Sequence, residues 1–181
     1  MAWTTWTGEG IERLNVVRDG GRVLATAVVE GAENGTPFGV RYEILCDARW
    51  RVRSLTVQPL SGGKALELLA DGQGRWTTGQ GDPLPDLDGC IDADISATPF
   101  TNTLPIRRLG LRTGESADLK VAYVAVPGLG VEPDGQRYTC LKEGELYRYE
   151  SLESDFVADL RVDADGLVLD YPGLFRRIPP G

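Results

Sequence analysis

The stretch Gly10–Val29, GIERLNVVRDGGRVLATAVV, decides the fold class. Two runs rich in Val and Leu flank Asp19-Gly20-Gly21. Asp-Gly favours the positive φ angles that tight hairpins need, so Gly10–Arg18 and Arg22–Val29 read as paired strands. The same punctuation recurs at Asn34-Gly35, Asp71-Gly72, Asp134-Gly135, Glu143-Gly144 and Asp165-Gly166. Each is read as a turn, and the short segments between them are rich in Val, Leu, Thr and Tyr.

Working outward, Phe38–Leu45 and Arg49–Gln58 continue the strand pattern, and Lys64–Leu69 pairs with Arg75–Thr78. Gly79–Asp88 is loop-like, with two prolines and three aspartates. Leu109–Thr113, Leu119–Val126, Gln136–Leu141 and Leu146–Leu152 read as further strands. Phe156–Val162 and Leu167–Tyr171 form a last hairpin over Asp163–Gly166. No segment holds a 3.6-residue apolar stripe beyond a turn or two. The best helix start is Thr98, with Pro105 expected to stop it. The expectation is one all-β antiparallel domain over residues 1–181, made of many short hairpin-linked strands with little helix. An echo between Arg41-Tyr42-Glu43-Ile44-Leu45 and Arg148-Tyr149-Glu150-Ser151-Leu152 would fit two similar halves.

Composition narrows the function classes. A net charge of −8 disfavours nucleic acid, which needs a basic surface. The chain has no histidine, so Ser-His-Asp and Cys-His catalysis are impossible and acid–base work falls to Asp, Glu, Tyr, Lys or Cys. Cys46, Cys90 and Cys140 are odd in number and widely spaced, which fits reduced, buried residues rather than disulfides or a zinc cluster. The N-terminal stretch lacks the basic start and apolar core of a signal peptide, and no apolar run approaches 18 residues. A cytoplasmic protein without a transmembrane segment, cofactor or metal is expected. Gly72-x-Gly74 and Gly128-x-Gly130 lack the third glycine of a dinucleotide fingerprint, and Ser61-Gly62-Gly63-Lys64 is not a phosphate loop.

The chemistry concentrates in Gly89–Leu109, GCIDADISATPFTNTLPIRRL. Asp92 and Asp94 alternate with Ile91, Ala93 and Ile95, so both carboxylates face one side of a strand, about 7 Å apart. They suit a general acid and base, a ligand anchor, or plain pairing with arginines on neighbouring strands. Arg107 and Arg108, read as strand residues, would face opposite sides, the inward one needing Asp92 or Asp94 as partner. Trp50 and Trp76 read as core or as an apolar or sugar-stacking wall, with Tyr123, Tyr138, Tyr147 and Tyr149 adding hydroxyls to the same space. On the strand carrying Trp50, Arg49, Arg51 and Arg53 share the other face and want solvent, acidic partners or an anion.

Several segments, taken in order, resemble one known family. They are Asp47-Ala48-Arg49-Trp50-Arg51-Val52-Arg53, Gly74-Arg75-Trp76, Gly89-Cys90-Ile91-Asp92-Ala93-Asp94, Thr98–Pro105, Gln136-Arg137-Tyr138 and Asp165-Gly166-Leu167-Val168. Together they are similar to the bacterial family called “putative glycolipid-binding” proteins, once a domain of unknown function. The resemblance implies an antiparallel half-barrel or β-roll, similar in architecture to bacterial lipoprotein carriers. It implies non-catalytic binding of an amphipathic ligand, a lipid or glycolipid, in the cavity of a curved sheet. On that reading Trp50 and Trp76 form the wall, and Asp92, Asp94, Asn102, Arg107, Arg108 and Tyr138 are the polar anchors. The unpaired edges of a half-barrel would also allow a homodimer. The alternative is a carboxylate-based hydrolase or isomerase using Asp92 and Asp94 on a small amphipathic or sugar substrate. A scaffold without a cavity is the third.

Overall fold

The computed structural model describes residues 1–179. The N-terminal half runs through β1 (Ala2–Thr5), β2 (Ile11–Asp19), β3 (Arg22–Glu33), β4 (Thr36–Cys46), β5 (Val52–Pro59), β6 (Leu66–Ala70) and β7 (Trp76–Thr78). Next come β8 (Asp92–Ile95), a 3-10 turn over Phe100–Asn102 and the helix α1 (Thr103–Leu109). The chain closes with β9 (Ser116–Ala125), β10 (Gly130–Lys142), β11 (Leu146–Ser151), β12 (Val157–Val162), β13 (Val168–Tyr171) and β14 (Phe175–Ile178).

Among the described residues, all fourteen strands form one curved sheet in the order β7-β6-β5-β4-β3-β2-β1-β14-β13-β12-β11-β10-β9-β8. The first and last strands therefore meet in its middle, where β1 pairs with β14. Every pairing is antiparallel except β8 on β9. The sheet is not closed: β7 and β8 are its two edges, so the term β-barrel is too strong and half-barrel is right. The Arg-Tyr-Glu echo falls on β4 and β11, the fourth strand of each seven-strand half.

Turn chemistry explains the hairpins. Gly20 and Gly21 (φ 55° and 76°) and Asn34 and Gly35 (φ 50° and 76°) form two-residue loops between paired positions Asp19–Arg22 and Glu33–Thr36. Three longer loops share another solution. The carboxylates of Asp47, Asp71 and Asp163 each accept the backbone N–H groups two and four residues on. The residue three after each aspartate is left-handed: Trp50 (φ 62°), Gly74 (φ 97°) and Gly166 (φ 77°). A tryptophan thus occupies a position that glycine fills in the other two loops.

The helix plugs the concave face. Phe100 and Leu104 join a main core with Trp3, Tyr42, Ile44, Leu55 and Trp76, whereas Ile106 joins a second core with Tyr138, Cys140 and Leu160. Each such fully buried large side chain stabilises the fold by about 1.5–3 kcal/mol.

Four sequence expectations need correction. Pro105 lies inside α1 instead of stopping it, at the third helical position, where no intrahelical N–H bond is lost. Arg107 and Arg108 are consequently helical, and Gly110 (φ 57°) ends the helix where a strand over Leu109–Thr113 was expected. Asp134-Gly135 is not a turn but lies within β10. β11 ends at Ser151, opposite Gln136, so Gly130–Asp134 pair only with β9 and a one-sided strand tolerates Pro133, while the Leu152 N–H reaches the Gly135 carbonyl at 2.8 Å.

Candidate functional site

The overhang of β10 beyond β11 opens the concave face. Glu132 on β10 pairs with Tyr123 on β9, which pairs with Asp94 on β8. These three side chains stand in one row, with Asp134 two residues along β10 on the same face. They form the acidic wall of a cavity of about 310 Å³. Tyr149, Phe156, Tyr171 and Phe175 form the opposite aromatic wall, and Thr98 and Asn102 also line the cavity. Phe156 and Leu174 are both exposed at its surface.

A second chamber of about 260 Å³ adjoins the first, sharing Ser96 and Phe175 with it. Ile11, Val29, Phe38, Ala97 and Val126 give it more apolar than polar surface, the buried Glu12 lines it too, and the exposed Glu30 and Glu33 complete its acidic groups. The Ser96 hydroxyl accepts the Val126 N–H at 2.9 Å, which fixes the partition.

The polar groups between the chambers are ordered. The Thr101 hydroxyl donates to Asp94 Oδ1 at 2.7 Å. Gln136 Nε2 donates to Asp94 Oδ2 at 2.8 Å and to Asp134 Oδ2 at 3.0 Å. Burial pushes the Asp94 carboxyl up, against the hydrogen bonds from Thr101 and Gln136. The buried Glu12 carboxylate accepts the Tyr42 hydroxyl at 2.5 Å and the Thr98 hydroxyl at 2.7 and 2.8 Å. Burial pushes Glu12 up to about 7.

The structure brings some of the expected site residues together and separates others. Asp94 and Asn102 line the cavity. Tyr138 lies one step behind, its hydroxyl accepting the Asn102 amide at 2.8 Å. Asp92 is fully buried and held by Arg108, whose Nε donates to both carboxylate oxygens at 3.0 Å. With both oxygens engaged, Asp92 acts as the counter-ion of Arg108 rather than as a free partner for Asp94. Arg107 and Arg18 flank the Trp50 ring, their guanidinium carbons 5.4 and 5.2 Å from its centroid. Trp50 lies in the β4–β5 loop, Arg18 on β2 and Arg107 in α1, and none of the three lines either chamber. Trp76 is buried in the main core, its indole N–H donating to the Cys90 carbonyl at 2.7 Å.

Several lining residues escaped the sequence reading. Glu12 carried a signal, because Glu12, Leu14 and Val16 share the apolar face of β2. Glu132, Asp134 and Gln136 alternate in the same way, but the apparent turn at Asp134-Gly135 hid them. Phe156, Tyr171 and Phe175 lie on separate strands and loops, and no local pattern joins them. Among the described residues, no group of three or more Cys, Asp or Glu is arranged to hold a metal ion. No helix among them is long and apolar enough to cross a membrane.

Comparison with known proteins agrees with this architecture. The model of the family described as “Putative glycolipid-binding” matches residues 1–177. The chain belongs to that family. It is also similar to a DUF1089 family protein from Pseudomonas aeruginosa with a crystal structure, at 40% identity over 92% of each chain and a TM-score of 0.81. No curated protein matches it. In this family member the Gly89–Arg108 block supplies β8, α1 and much of the partition between the chambers.

Proposed function

We propose that this chain binds an amphipathic ligand without transforming it, with the polar head in the acidic cavity and the tail in the apolar chamber. The observation that carries the reading is the junction at Ser96 and Phe175, where a polar and an apolar space share a wall. Ligand pockets combine apolar walls with a few placed polar groups, and here those properties are divided between two adjoining spaces. The family description favours a glycolipid as the amphiphile. Asp94, Asn102 and, behind them, Tyr138 serve the head, whereas Trp50, Trp76, Arg107 and the Asp92–Arg108 pair hold the scaffold. The three unpaired, buried cysteines support a reducing compartment.

Native mass spectrometry with octyl glycosides tests this. The expected result is a one-to-one complex that octanol alone or the free sugar does not form. Equal retention of octanol would reduce the site to an apolar pocket and contradict the reading.

A further inference from the structure

The first cavity sets carboxylates against aromatic rings, which the adjoining chamber, although lined by Glu12, Glu30 and Glu33, does not. Asp94, Glu132 and Asp134 line the first cavity, and no Lys or Arg does. Asp94 and Asp134 accept hydrogen bonds from the same Gln136 nitrogen, so two carboxylates are held close together in a partly buried space. Opposite them, the rings of Tyr149, Phe156 and Tyr171 form a triangle with centroids 5.9–6.2 Å apart. Tyr149 and Tyr171 are only 7% and 6% exposed. Among the described residues, neither hydroxyl has a hydrogen-bond partner, and both side chains line the cavity.

Carboxylates and aromatic ring faces both attract cations, and the attraction grows when water is excluded. An anionic head would meet repulsion on one side and no counter-charge on the other. A bare metal ion would find no ready cluster of ligands among the described residues. The Tyr149 and Tyr171 hydroxyls are open to the cavity, where a sugar's hydroxyls can take the place of water.

Resting on the function proposed above, we infer that the head group is a sugar bearing a protonated amine. The ammonium sits between the Asp94, Glu132 and Asp134 carboxylates and the aromatic triangle, and the sugar hydroxyls meet Tyr149 and Tyr171.

Calorimetric titration with three matched amphiphiles tests this: octyl glucoside, octyl 2-amino-2-deoxyglucoside and octyl glucuronide, at a pH where the amine is protonated. The amino compound is expected to bind at least about tenfold more tightly than the neutral one, with no measurable binding of the uronide. In the double variant Glu132→Gln, Asp134→Asn, whose sites are exposed and partly exposed, the preference should fall below about threefold. Equal binding of the neutral and amino compounds would overturn the charge assignment and leave the amphiphile-binding reading standing. Failure of all three to bind would remove both. A preference that survived in the double variant would also overturn the assignment of these carboxylates.

Discussion

Glu12 and Thr98 stand in the walls of different chambers and are joined by a 2.7 Å hydrogen bond. Thr98 also accepts the Phe100 N–H at 3.0 Å, so one hydroxyl ties β2 to the turn that leads into the helix. The link places a carboxyl of raised pKa at the boundary between polar and apolar space.

That carboxyl makes stability pH-dependent. Burial lifts Glu12 from 4.5 to about 7, so between those values the folded chain holds a proton that the unfolded chain has released. Glu12's contribution is fully present below about pH 4.5, is lost as pH rises through about 7, and is level above that. The full swing is roughly 3 kcal/mol for the rise from 4.5 to about 7, taking about 1.36 kcal/mol per pKa unit. Urea midpoints measured across this range should fall with pH, and Glu12→Gln should flatten the slope. An unchanged slope in Glu12→Gln would assign the dependence to other groups.

Arg108 exists to neutralise Asp92. Arg108→Met leaves a fully buried carboxylate alone and should destabilise the fold by about 3–5 kcal/mol. Adding Asp92→Asn should restore much of that loss, because the uncompensated charge is gone. Chemical denaturation of the single and double variants measures both steps.

The hydroxyls of Tyr149 and Tyr171 should matter for binding and not for folding. Since neither is paired within the protein, Tyr149→Phe and Tyr171→Phe should shift stability by no more than about 0.5 kcal/mol. Each should weaken binding of the octyl glycoside by up to about tenfold, the worth of one hydrogen bond. Thermal melts and titration calorimetry on the same preparations separate the two effects.

Trp76 and Phe175 should behave in opposite ways. Trp76→Ala empties a core position and should cost about 3–5 kcal/mol of stability, with affinity per folded molecule unchanged. Phe175 is only partly buried and borders both chambers. Phe175→Ala should leave the fold largely intact and lower affinity for octyl amphiphiles by about tenfold or more.

The antiparallel fold was legible because turn chemistry is local. Gly20-Gly21 and Asn34-Gly35 need only their own φ angles to declare a hairpin. Asp134-Gly135 misled for the same reason: the dipeptide cannot show that β10 overhangs its neighbour. The helix was half visible, since Thr98 marked its approach but Pro105 suits a helix's first turn as well as its end. Of the site, Asp94 and Asn102 could be found because they lie in one polar segment. The aromatic wall joins Tyr149, Phe156, Tyr171 and Phe175 across the C-terminal strands and loops, and only the curvature of the sheet brings them opposite Asp94.

The most direct test of where the amphiphile sits is a backbone amide NMR titration with octyl 2-amino-2-deoxyglucoside. Binding across both chambers confines the shifts to two contiguous groups: Asp94, Asn102, Tyr149 and Tyr171 around the head, and Val29, Ala97 and Val126 around the tail, with Ser96 and Phe175 in both. Shifts centred instead on the cavity lined by Leu66, Leu84 and Leu87 near the β7 edge, or spread over the surface without saturation, would contradict it.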